Sequence, residues 1–87
     1  MPAPTIDIYT KFGCGYCFRA KKLLDNKGAK YNEHDVTLGG ASKEAMLARA
    51  PKAQTVPQIF IDDEHVGGSD DLAALERSGK LDSMLAG

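Results

Sequence analysis

The segment Thr5–Gly28, TIDIYTKFGCGYCFRAKKLLDNKG, carries both cysteines of the chain at the point where a strand pattern gives way to a helix pattern. From Thr5 to Thr10, Ile6 and Ile8 alternate with Asp7 in β-branched company, the period-two signature of a strand. Residues 11–13 turn the chain. From Cys14 onward, Cys17, Ala20, Leu23 and Leu24 recur at helical spacing while Arg19, Lys21 and Lys22 point elsewhere. Gly28 offers a stop signal, which predicts a helix of about three turns that opens on Cys14-Gly15-Tyr16-Cys17.

Lys30–Val36 carries Tyr31 and Val36 among polar residues, and a strand there makes strand, helix, strand a βαβ unit with parallel strands. Gly39 and Gly40 break the chain, and Ser42 is placed to cap a helix running to about Ala50, with Met46, Leu47 and Ala50 on its apolar face and Pro51 closing it. Pro57 heads the run Gln58–Ile61, a strand with proline in its tolerated first position. The acidic turn Asp62–Glu64 and a short return through His65 and Val66 complete a hairpin that ends at Gly67 and Gly68. Ser69 then offers an N-cap, Asp70 and Asp71 sit where the helix dipole favours negative charge, and Leu72 and Leu75 face inward until Gly79. A last short helix covers Leu81–Leu85. The order β-α-β-α-β-β-α plus a short C-terminal helix, without repeat or linker, predicts a single α/β domain over residues 1–87.

Composition narrows the function. At 43% hydrophobic and 26% charged residues the chain is an ordinary globule, neither a disordered tail nor a low-complexity linker. No apolar run exceeds four residues, so no membrane crossing is expected. Eleven basic against twelve acidic side chains leave a net charge of -1, too balanced for tracking nucleic acid or an anionic membrane surface. Residues 1–50 hold eight Lys/Arg and five Asp/Glu, and residues 51–87 hold three and seven. That split suits a small zwitterionic ligand bound between the halves and equally suits a chance unevenness of solvated charge. The start, MPAPTIDIYT, lacks a basic region followed by an apolar one, so a cytoplasmic, thiol-reducing compartment is expected.

Two cysteines at i and i+3 on the first turn of a helix lie within disulfide reach, in a loop short enough to open and close by thiol exchange. Cys14, at the helix end, meets unpaired backbone N–H groups and the positive pole of the dipole, which favour its thiolate, and Lys11 adds to that. Cys17, one turn further in on the apolar face, is the more buried thiol and suits a resolving role, attacking a mixed disulfide on Cys14. A structural zinc site would need two more ligands, and His34 and His65 stand too far apart in the sequence for the usual pair. A static structural disulfide fits poorly with a chain that shows no secretory signal. Both histidines read as surface strand residues, and Phe12 and Phe18 as packing residues.

Lys11-Phe12-Gly13-Cys14-Gly15-Tyr16-Cys17, then Thr55-Val56-Pro57, then Gly67-Gly68-Ser69-Asp70-Asp71-Leu72, together resemble a dithiol glutaredoxin across nearly the whole chain. The resemblance implies a thioredoxin fold, a four-stranded mixed sheet flanked by helices. It implies glutathione-dependent thiol–disulfide exchange on protein disulfides and glutathione mixed disulfides, with Cys14 as nucleophile and Cys17 resolving. It also implies a cis Pro57 whose loop, Thr55-Val56-Pro57, presents the Val56 backbone to the cysteinyl part of glutathione as a β-strand would. Gly68, Ser69 and Asp70 are implied to hold the γ-glutamyl group, Lys11 the glycine carboxylate, and Tyr16 to pack beside the bound sulfur. Neither a metal nor a nucleotide is required; the implied partners are glutathione, disulfide-containing or glutathionylated proteins and, indirectly, the reductase that recharges glutathione.

Departures from the family pattern open two further readings. Gly15 stands where many dithiol members have proline, which loosens the active-site turn. Some members lacking that proline hold a 2Fe–2S cluster between two subunits and two glutathiones through the first cysteine of each, so a monomer is expected for exchange and a dimer ligated by Cys14 for a cluster. The other rival is a redoxin recharged by thioredoxin reductase, against which Gly67-Gly68-Ser69-Asp70 argues. Lys52-Ala53-Gln54 precedes Thr55 where many relatives carry arginine, and Lys43 stands beside Glu44 in the second helix, so Lys52 and Lys43 are further candidates for the glycine carboxylate.

Overall fold

The computed structural model describes residues 4–86. Its elements are β1 (Ile6–Thr10), α1 (Gly15–Asn26), β2 (Asn32–Asp35), α2 (Gly40–Arg49), β3 (Gln58–Ile61), β4 (Glu64–Gly67), α3 (Ser69–Ser78) and α4 (Lys80–Leu85). The strands form one sheet in the order β2-β1-β3-β4. β1 runs parallel to β2, as a helical crossover between them requires, while β3 is antiparallel to both β1 and β4. This is the mixed four-stranded sheet of the thioredoxin fold.

Period-two alternation sorts the central strands onto two covered faces. Ile6 and Ile8 of β1 and Ile59 and Ile61 of β3 pack with Ala20 and Leu24 of α1, Leu72 of α3 and Leu81 of α4. The opposite face gathers Tyr9, Phe60 and Val36 under Met46 and Ala50 of the α2 region. Every residue of β3 is buried, as befits a strand with neighbours on both edges and helices on both faces. Part of the docking of α2 is polar. Arg49 Nη1 donates to Asp7 Oδ2 at 3.1 Å and to the Tyr9 hydroxyl at 3.2 Å, and its Nη2 donates to Asp63 Oδ1 at 2.9 Å. Burial pushes the Asp7 carboxyl upward, but hydrogen bonds from His34, Arg49 and Asn32 and the Arg49 charge outweigh it and hold the group below the usual aspartate value.

Two caps differ from the sequence expectation. Ser42 lies inside α2, which starts at Gly40 from Gly39 with no side-chain cap. Both glycines sit at positive φ, 74° and 73°, so the chain turns into the helix two residues before the serine. At α3 the N-cap is Gly68 and Ser69 is the first helical residue. The Asp71 side chain satisfies the Gly68 N–H instead, accepting its hydrogen bond at 2.9 Å. The acidic hairpin turn falls where expected but is one residue shorter, because Glu64 already belongs to β4. Ile61 pairs with Glu64, and the two residues between them, Asp62 and Asp63, both adopt positive φ, matching the twist of a two-residue hairpin.

Leu81 is fully buried although α4 spans six residues, which makes it the plug at one end of the larger core cluster. Leu81→Ala is expected to lower unfolding free energy by about 2–5 kcal/mol, read as a shifted midpoint in urea denaturation. A loss under about 1 kcal/mol would mean that α4 does not close the core.

Candidate functional site

Cys14 is the N-cap of α1, in extended backbone, so its side chain lies over the free N–H groups of the first turn. Cys17 N–H donates to Cys14 Sγ at 3.1 Å, giving negative charge on that sulfur a backbone donor. Cys14 is half-buried and Cys17 is buried, and both are free thiols. Burial, then the hydrogen bond with Cys14, pushes the Cys17 thiol up to about 11. The two sulfurs therefore differ in access, as expected from their places on the helix.

The Val56–Pro57 peptide bond is cis, and the loop that holds it lies against the cysteines. Cys14 Sγ is 3.8 Å from the Val56 carbonyl oxygen, a contact across 42 residues of sequence. Alongside lies the β4–α3 junction. A Cβ on Gly68 would stand 3.5 Å from the Pro57 carbonyl oxygen, so the two loops face each other at close range. Gly67 has φ +115°, and a Cβ there would collide with the Asp71 carboxylate that caps Gly68, so glycine is the residue that fits at 67.

Between these loops runs an open groove of about 1010 Å³. Thr55, Val56, Pro57, Gly68, Ser69 and Asp70 line it, with Tyr16 at its cysteine end. Lys11 lies elsewhere. It lines a second cavity of about 460 Å³ with Phe12, Cys14, Cys17 and Phe18, so Cys14 and Cys17 border that second space. Lys52 lines the large groove and Lys43 does not. Phe12 and Phe18 are not packing residues: they are 91% and 63% exposed. The buried stripe of α1 is Cys17, Ala20 and Leu24, which turns the neighbouring Phe18 outward, and Phe12 stands in the turn before the helix. Tyr16 is also exposed, with the Arg19 guanidinium 5.7 Å from its ring centre.

Among the groove residues not anticipated as part of the site are Arg49, Gln58 and His65. Arg49 belongs to a helix face read only for its apolar residues, and Gln58 and His65 stand on strands with no clustering in sequence to mark them. His34 and His65 are strand residues, each paired with a neighbour: His34 Nε2 lies 3.0 Å from Asp7 Oδ1 and His65 Nε2 lies 2.7 Å from Gln58 Oε1. Among the described residues no group of three or more His, Cys, Asp or Glu gathers as a metal site would require.

The burial difference has a pH signature. A thiol raised to about 11 stays protonated at neutral pH. Brief iodoacetamide treatment at pH 7 should therefore alkylate Cys14 and spare Cys17, and modification of Cys17 should appear only as pH climbs toward its raised value. Mass spectrometry of the digested protein reads both. Equal labelling at pH 7 would contradict the burial of Cys17.

The glutaredoxin family model matches residues 6–66. Glutaredoxin of Pseudomonas aeruginosa is 51% identical over 83 residues, covering 95% of this chain and 98% of that protein. The solution structure of glutaredoxin from Brucella melitensis superposes with a TM-score of 0.80 at 51% identity, covering 95% of this chain and 89% of that one. A buckwheat glutaredoxin–glutathione complex gives a TM-score of 0.83 at 35% identity, covering 95% and 77% respectively. No helix among the described residues is long and apolar enough to cross a membrane. Sequence relationship, topology and the cysteine pair at the head of α1 agree: the chain belongs to the glutaredoxin family of thiol–disulfide oxidoreductases.

Proposed function

We propose that this protein is a glutathione-dependent oxidoreductase that reduces glutathione mixed disulfides and protein disulfides, acting as a single-domain monomer in the cytoplasm. The observation that carries the reading is the 3.8 Å approach of the Val56 carbonyl to Cys14 Sγ, at one end of a groove that runs on to Gly68, Ser69 and Asp70. A tripeptide laid along that groove would put its cysteinyl backbone on Val56 and its sulfur on Cys14. Its γ-glutamyl carboxylate would meet the N–H groups at the start of α3, and its amine would meet Asp70. Thr55 and Pro57 shape the groove wall, and Tyr16 flanks the sulfur. Lys52 within the groove and Lys11 beyond Cys14 offer positive charge to the glycine carboxylate. The buckwheat relative in complex with glutathione supports this use of the fold.

With a glutathionylated protein, Cys14 thiolate attacks the glutathionyl sulfur. The protein thiolate leaves and takes a proton, and a Cys14–glutathione disulfide forms. A second glutathione thiolate attacks that sulfur, releasing oxidised glutathione and Cys14 thiolate. With a protein disulfide, Cys14 forms the mixed disulfide and Cys17 gives up its proton to attack Cys14, leaving a Cys14–Cys17 disulfide and two reduced protein thiols. Two glutathiones then restore the dithiol and depart as the oxidised dimer. The protein partners are the disulfide-bearing substrates and, indirectly, the reductase that recharges glutathione. A 2Fe–2S cluster shared between two chains would draw on Cys14 alone and leave Cys17, set one turn beneath it, without a part. The exchange reading gives both thiols a role.

Cys14→Ser is expected to bring turnover down to the rate without protein. Cys17→Ser should keep reduction of a glutathionylated peptide and lose reduction of a protein disulfide. The assay couples glutathione and its reductase to NADPH oxidation. An active Cys14→Ser variant, or a wild type recharged only by thioredoxin reductase, would overturn the proposal.

A further inference from the structure

The Thr55 carbonyl oxygen accepts a hydrogen bond from Gln58 Nε2 at 2.9 Å. A carbonyl has no proton to give, so the Gln58 amide must present its nitrogen to Thr55, and its oxygen faces the other way. That oxygen lies 2.7 Å from His65 Nε2. The direction of the chain is thereby settled: His65 Nε2–H donates to Gln58 Oε1, and Gln58 Nε2–H donates to Thr55 O. His65 Nε2 carries hydrogen in the imidazolium and in one neutral tautomer, and this bond selects that tautomer. The His65 ring is itself held, stacked on Phe60 at 4.7 Å between centroids and 20° between planes. Gln58 is 6% exposed, so its amide is a buried polar group whose partners are these two.

The accepting carbonyl belongs to the Thr55–Val56 peptide unit. That unit is planar and trans, so its C=O and the Val56 N–H point in opposite directions. Anchoring the oxygen on β3 turns the Val56 N–H away from the sheet. A hydrogen bond to the oxygen also polarises the whole amide and makes the N–H a better donor. We infer that His65 is a positioning residue which, through Gln58, orients and strengthens the Val56 N–H for the peptide backbone of the substrate. The inference rests on the proposed reading of the groove as the glutathione site, and it gives the exposed His65 a part in binding that the thiol chemistry does not require.

Three variants separate this from packing. His65→Phe keeps a ring over Phe60 and removes the donor. His65→Gln keeps an N–H at similar reach. Gln58→Met removes the relay at nearly constant volume. With a glutathionylated peptide as substrate, His65→Phe and Gln58→Met should each raise KM about two- to tenfold with kcat little changed, the range of one lost hydrogen bond. The double variant should be no worse than Gln58→Met, since both act through one path. His65→Gln should restore most of the loss. In ¹H–¹⁵N spectra the Val56 amide should move upfield in His65→Phe and Gln58→Met while amides of β1 stay put. Unchanged KM and an unmoved Val56 amide in His65→Phe, with only a lowered Tm, would overturn the inference. A wild type that does not saturate with the glutathionylated peptide would instead overturn the glutathione reading, and the Val56 amide would still report on the relay.

Discussion

The antiparallel pairing of β1 with β3 is the constraint on which the site depends. Its register sets Tyr9 opposite Gln58 and Ile8 opposite Ile59, so the end of β1 and the start of β3 lie at the same end of the sheet. The chain leaving β1 makes the cysteine turn, and the chain entering β3 makes the Val56–Pro57 loop. Their meeting, with Cys14 Sγ beside the Val56 carbonyl, follows from that alignment. A slip of one residue would exchange the two faces of β3, exposing Ile59 and Ile61 to the α2 side and turning Gln58 and Phe60 into the larger core. The apolar pattern of the strand thus fixes the geometry of the candidate site as a by-product of burying the core.

The two faces of the sheet divide the labour. On one, α1, α3 and α4 meet an almost wholly aliphatic cluster that seats α1 through Ala20 and Leu24, on the same buried stripe of the helix as Cys17. The other face carries an aromatic row with one ring from each strand: His34 over Tyr9, Tyr9 edge-on to Phe60, and Phe60 against His65. Arg49 lies 4.0 Å from the Phe60 ring centre and is tied to Asp7. Polar groups on this side are placed where they can be satisfied, and no buried side-chain nitrogen or oxygen among the described residues lacks a partner. Such a network holds loops in one orientation, which an aliphatic face cannot do because dispersion contacts carry little direction.

The thiol pair illustrates how local and distant structure combine. Placement at the helix start gives Cys14 an amide donor from its own turn, which needs nothing beyond the i, i+3 spacing. The burial that raises Cys17 depends on how the helix packs into the fold, and the groove beside Cys14 comes from loops some forty residues away. Glycine at 67 leaves room for the Asp71 carboxylate at the head of α3, in the loop that faces Pro57 across the groove.

The amino-acid sequence by itself determined the order of elements, the two-face alternation of β1, the cysteine pair at a helix start and the family. Each is written in the spacing of residues within a few turns or strands of one another, or in motifs that survive as strings. Tertiary structure decided the caps of α2 and α3, where positive-φ glycines and the Asp71 carboxylate took the place of the expected Ser42 and Ser69. It also decided that Phe12 and Phe18 face solvent, that Lys52 lines the groove while Lys11 borders the cavity on the far side of Cys14, and that His65 reaches Thr55 through Gln58. These depend on which faces and loops the sheet register brings together. No periodicity in the chain encodes that, because the contacts join segments whose only relation is in space.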